Sequence, residues 1–130
     1  MKNRYKILLV MVGLVLLVSC KPSDKYVGDW YAVTGTGDEV MVNFSKDKTM
    51  TISGDDQEES YEINQTATGI LNNTRYFRVE VEGASHYVIF DQSKDEDNAK
   101  FVKQTNQATD FEDVVGDVIF LLNRNDFPSN

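Results

Sequence analysis

Cys20 and His86 are the only cysteine and histidine in the 130 residues, and they head any inventory of groups that could do chemistry. A nucleophilic thiolate works with a base beside it. His86, however, opens a hairpin strand next to Tyr87, where a lone histidine is expected to be a solvated side chain. No G-x-S-x-G elbow frames a serine. Carboxylates are plentiful in Asp55-Asp56-Gln57-Glu58-Glu59 and in Asp95-Glu96-Asp97-Asn98. A carboxylate pair hydrolyses glycosides when one partner is kept protonated. Both runs read as turns, where water leaves carboxyl groups at ordinary acidity. Neither has the glycine and distal glutamate of an EF-hand calcium loop. The expectation is a protein with no catalytic residue, no metal and no cofactor, acting by binding.

Cys20 has a different chemistry in view. Lys2, Arg4 and Lys6 precede an apolar run from Ile7 to Val18 that only Gly13 interrupts. Twelve helical residues reach about 18 Å, well short of a hydrocarbon core of ~30 Å. A basic flank and a short apolar stretch fit a secretory signal instead. The run ends in Leu17-Val18-Ser19-Cys20, which resembles the bacterial lipobox. That resemblance implies diacylglycerol on the Cys20 thiol, cleavage between Ser19 and Cys20, and a membrane partner reached through acyl chains. Two or three chains hold a protein stably where one does so marginally. Lys21 follows the cysteine where enteric-type bacteria place aspartate for inner-membrane retention, which implies the outer membrane, facing the periplasm. In a single-membrane organism the same signal implies the outer face of the cell membrane.

The chain then divides into a signal peptide (1–19), a lipidated cysteine with its tether (20–25) and one domain (26–130). Three of the 13 basic residues and none of the 21 acidic ones lie in the signal, so the net charge moves from −8 to −11 on its removal. Nucleic acid is excluded as a partner, since phosphate binding needs clustered Lys and Arg. A basic protein is electrostatically favoured. With no second cysteine the domain has no internal disulfide, and burial and sheet hydrogen bonding must stabilise it.

The domain alternates apolar and polar residues in short runs broken by turn chemistry, the pattern of an antiparallel barrel or sandwich. Strands are expected at Gly28–Val33, Glu39–Ser45, Thr49–Ser53, Glu59–Gln65, around Phe77–Glu82, His86–Gln92 and Lys100–Thr105. A loose connection through Gly69, Asn72 and Asn73 is expected after the fourth, and a Gly83-Ala84-Ser85 loop before His86. Near the C-terminus Thr109 and Glu112 have capping-box spacing. A short helical turn from Asp110 to Val115 and a last strand from Asp117 to Arg124 are favoured; one long helix is the alternative. The strand version makes the fold all-β, with about eight strands closing a small antiparallel barrel.

Gly28-Asp29-Trp30 at the first strand and Leu122-Asn123-Arg124 at the last resemble the calycin pattern of lipocalins and small lipocalin-like domains. The resemblance implies a structural plug, with Arg124 packed over the Trp30 ring beside Gly28. Thr109-Asp110-Phe111 is similar to the family's T-D-Y loop with phenylalanine in place of tyrosine. Tyr31, Tyr76 and Tyr87 are the aromatics expected to meet a cavity or a partner, because tyrosine tolerates a half-wet site. The leading functional expectation is binding of a protein partner in an inhibitory, immunity or envelope-assembly role. A small apolar ligand inside the barrel is the alternative that the lipocalin resemblance implies.

Overall fold

Alternation with a period of two gives each strand one apolar face, and such faces are satisfied when the sheet curls round and buries them together. The computed structural model describes residues 21–129, and in it eight strands do this. They are β1 (Gly28–Thr34), β2 (Glu39–Phe44), β3 (Thr49–Gly54), β4 (Gln57–Leu71), β5 (Thr74–Val81), β6 (Ala84–Phe90), β7 (Asn98–Gln104) and β8 (Gly116–Asn123). Each pairs antiparallel with the next, and β8 returns to β1 through Tyr31↔Asn123 to Thr34↔Phe120, closing the barrel. Closure leaves no unpaired sheet edge. The fold is therefore an all-β, eight-stranded, lipocalin-like barrel.

The interior is apolar and the exterior polar. Trp30, Val42, Phe44, Ile63, Val79, Val88, Phe90 and Phe101 are completely or almost completely buried. Each such side chain contributes roughly 1.5–3 kcal/mol over its exposed state. On the outer wall Asn43 Nδ2 donates to Asp29 Oδ1 at 2.8 Å, and the Thr51 and Ser60 hydroxyls share a hydrogen bond across strands at 3.1 Å. A barrel that spans a membrane has the opposite arrangement, apolar outside.

Four local readings change. The expected strand Glu59–Gln65 and the loose connection after it are one 15-residue strand, β4. Its first part pairs with β3 and its second with β5, with an irregularity between Gln65 and Ala67 that re-aims the strand. The Asn72-Asn73 pair is the tight turn that follows, with Asn72 at φ 60°. The β5–β6 turn is Glu82-Gly83, not Gly83-Ala84-Ser85. Both turn residues have positive φ, and Val81 pairs directly with Ala84, the geometry of a two-residue hairpin turn.

The C-terminal expectation holds in its strand version. A 3₁₀ turn at Phe111–Asp113 precedes β8, and the long helix is ruled out. Asp110 occupies the N-cap without a side-chain cap bond, so the Thr109–Glu112 box does not form. Finally, the segment expected to be a tether is docked on the barrel. Pro22 is buried, and Ser23 N and the Tyr26 hydroxyl both donate to Gln65 Oε1 at 2.9 Å.

Candidate functional site

The up-and-down order sends the N-terminal segment, the β2–β3, β4–β5 and β6–β7 turns and the C-terminal tail to one end of the barrel. The other end holds the remaining turns. The two ends are built differently.

The first end is closed. Trp30 is fully buried, and its Nε1 donates to the Tyr26 carbonyl at 2.8 Å. The Tyr26 ring packs edge-on to Phe44 and tilted against Phe77, each at 5.2 Å between centroids. Arg124 lies over the indole, its guanidinium carbon 3.8 Å from the ring centroid. Its Nη1 donates to the Asp29 carbonyl, and its Nη2 donates to those of Lys25 and Val27, all at 3.1 Å. Burial draws the guanidinium pKa down, and Asp97, Asp29 and Glu96 oppose that shift.

Gly28 permits this packing. Its φ is +116°, and a Cβ there would stand 3.0 Å from Arg124 Nη1. The structure thus brings Gly28, Trp30 and Arg124 together as a plug whose business is packing. Burial also holds the Tyr26 hydroxyl protonated well above the usual tyrosine range.

The second end is open. A cup of about 390 Å³ enters the barrel between Met50, Ile52, Tyr61, Ala84, Phe101 and Ile119. His86 lines it, stacked on Phe101 with centroids 5.1 Å apart and planes 14° from parallel. This histidine is half-buried inside the mouth, not solvated on an outer strand as the sequence suggested. Desolvation is the main cause of its lowered pKa, and Lys103 adds to the shift; a hydrogen bond with the Ala84 carbonyl opposes both. The ring is therefore neutral at neutral pH.

Beside the cup, and sharing Ile52 with it, lies a depression of about 560 Å³ between the β1–β2 and β3–β4 turns. Asp38, Glu39, Asp55, Asp56 and Glu59 line it. Counted by position, the closed end has eight acids and eight bases, and the open end with the wall behind it has thirteen carboxylates against two bases, Lys103 and Arg78. The excess negative charge of the domain is concentrated at the open end. Sequence order hides this concentration, because the acidic residues come from turns scattered over most of the chain.

The three singled-out tyrosines lie elsewhere. Tyr76 and Tyr87 meet on the outer wall, 6.1 Å between centroids, where Phe111 of the 3₁₀ turn stacks on Tyr76 at 4.0 Å and tilts against Tyr87 at 5.5 Å. With Ile89, Val102 and Val114 they form a second apolar cluster outside the barrel. Tyr31 is covered by Phe127 of the tail at 5.0 Å. None of them faces the interior cup.

The acidic runs show no strained carboxylate. Asp95 accepts from Asp97 N at 3.0 Å and from Asn98 Nδ2 at 2.8 Å, which lowers its pKa. Glu96 pairs with Lys25 at 2.6 Å. Among the described residues no three of His, Cys, Asp and Glu come together as a metal site. Ser45 and Lys48, with Lys46 and Asp47 between them, have S-x-x-K spacing. The Ser45 hydroxyl is engaged within its own turn, donating to Asp47 Oδ1 at 2.6 Å. Ser19 and Cys20, the expected cleavage and lipidation site, lie outside the described residues. Comparison with protein-family models, with curated proteins and with solved structures finds no match.

Proposed function

We propose that the protein is a lipid-anchored envelope protein without enzymatic activity, whose barrel binds a basic protein partner at its open end. The signal peptide, the lipobox and Cys20 support the anchor, and Lys21 supports the outer membrane with the domain in the periplasm. One observation carries the binding reading: a cup with a mainly apolar wall, carrying Glu82, His86 and Lys103 among its apolar residues, opens directly beside a depression lined by five carboxylates. That pairing suits a partner segment with an apolar anchor residue flanked by Lys or Arg. Depletion of charge at the anchor and complementary charge around it is the usual anatomy of an interface. Exclusion, inhibition and envelope assembly are all roles such a surface would serve.

The test uses the mature domain and a fluorescent peptide of alternating lysine and leucine. Binding should weaken steeply as salt rises and should be lost in an Asp38→Asn, Asp55→Asn, Asp56→Asn triple variant. Binding indifferent to both would refute the reading. The cup also supports a second reading, a small apolar ligand held at the mouth. Native mass spectrometry of protein made in a bacterial periplasm decides between them. A discrete added mass that organic solvent strips away would favour the ligand.

A further inference from the structure

We infer that the closed end of the barrel is a membrane-facing surface that lies against anionic phospholipid headgroups and holds the acidic mouth pointing away from the bilayer. The inference rests on the lipoprotein reading of Cys20 and goes beyond it, because an acyl anchor by itself leaves orientation free.

Two observations carry it. First, the chain is fixed to the barrel almost at once after Cys20. Pro22 is buried, Ser23 N is bonded to Gln65, and the Ser23 carbonyl accepts from both Tyr26 N and Val27 N at 3.2 Å. Two peptide steps separate Cys20 from Pro22, at most about 7 Å of extended chain. The plugged end therefore cannot leave the headgroup layer.

Second, charge is divided along the axis. Eight of the ten bases of the mature chain, among them Lys21, Lys46, Lys48 and Lys94, sit at the anchored end and balance the acids there. The rest of the barrel, with the far end, has thirteen carboxylates against Lys103 and Arg78. A negative bilayer surface repels the far end and tolerates the near one. Since the field decays within about 8–10 Å and a seven-residue strand spans about 20 Å, any tilt that brings the mouth down is opposed as it enters the field.

The arrangement gives the mouth a fixed outlook. A partner is met by carboxylates one strand length above the bilayer, clear of competing lipid charge.

The full chain, acylated in a bacterial host and reconstituted into phosphatidylethanolamine–phosphatidylglycerol vesicles, tests this. With the Cys20 thiol acylated, an introduced cysteine is the only free thiol. A fluorophore is placed in turn on Lys46→Cys, Asn73→Cys and Asp56→Cys, and spin-labelled headgroup lipid serves as quencher. The labels at Lys46→Cys and Asn73→Cys should lose most of their emission, and the label at Asp56→Cys should keep it. Equal quenching at all three, or stronger quenching at Asp56→Cys, overturns the inference while leaving the anchor intact. Intact mass on the same samples separates the two failures. A chain without acyl groups on Cys20 overturns the lipoprotein reading, and the inference falls with it.

Discussion

Replacing Arg124 by alanine should open the plugged end and lower stability by roughly 3–4 kcal/mol. The figure is built from two contributions. Three hydrogen bonds run from the guanidinium to the carbonyls of Lys25, Val27 and Asp29. Bonds to a charged group are worth about 1.5–3 kcal/mol each when desolvated. Arg124 is only partly buried, so the set is taken at roughly 2–3 kcal/mol. The cation–π contact over Trp30 adds about 1 kcal/mol at such a site. For a domain of this size each kcal/mol moves Tm by about 4 °C, so the melting temperature should fall by roughly 12–16 °C. Trp30 is the only tryptophan, so its emission reports on the plug directly. The variant should show red-shifted emission and easier quenching by acrylamide. Arg124→Lys should recover part of the loss, keeping the charge but not the three-carbonyl reach. Gly28→Ala should act on the same contact, since its Cβ would stand 3.0 Å from Nη1. Its effect should be smaller in the Arg124→Ala background than in the wild type, the mark of coupled sites. A loss under about 1 kcal/mol in Arg124→Ala, with unchanged emission, would refute the reasoning.

Other consequences follow the same logic. Gly69→Ala should cost about 1–3 kcal/mol, because its Cβ would fall 2.6 Å from the Tyr76 hydroxyl and push that ring off Phe111; denaturant melts measure it. The lowered pKa of His86 means that its contribution is complete above the unfolded value of about 6.5 and is lost as pH falls below it. His86→Gln should therefore flatten the acid side of the stability–pH curve below about pH 6.5, read by Tm across buffers. The raised pKa of Tyr26 acts at the other extreme. Its contribution is complete below about pH 10 and fades above it, so Tyr26→Phe should be less sensitive than the wild type to alkaline melting. Cys20→Ser should leave the chain uncleaved or soluble, and normal retention in the membrane fraction would sink the anchor.

The barrel was legible because its strands alternate cleanly and its turns are marked. Phe77, Val79 and Val81 face inward as their spacing requires. The apolar residues on both faces of β6 match its cover on both sides: Val88 and Phe90 face the core, and Tyr87 and Ile89 lie under Phe111 and Val114. The closing pair was also legible, since Trp30 stands on the first strand and Arg124 directly follows the last, two strands that a barrel must join. β4 was less so. A strand that changes partners midway leaves no break in composition, and Gly69 suggests a turn when its role is to lie under Tyr76.

The mouth was missed for a related reason. His86 looks solvated in a local window, and only the pairing of β6 with β7 stacks it on Phe101. The tyrosines were chosen for amphipathic character. Their actual covers, the 3₁₀ turn and the C-terminal tail, are long-range packing partners that local spacing does not encode.

The pairing of β1 with β8 also sets a schedule. Tyr31 finds its partner only when Asn123 is present, and Arg124 caps Trp30 only one residue later. A chain emerging N-terminus first holds most of its strands before it can seal the ring, so the last residues to appear complete the structure. For the exported, lipid-anchored chain proposed above, that delay is useful. The incomplete sheet has an unpaired edge and an uncapped indole until the tail is present, which keeps the chain pliable until its last residues lock the ring.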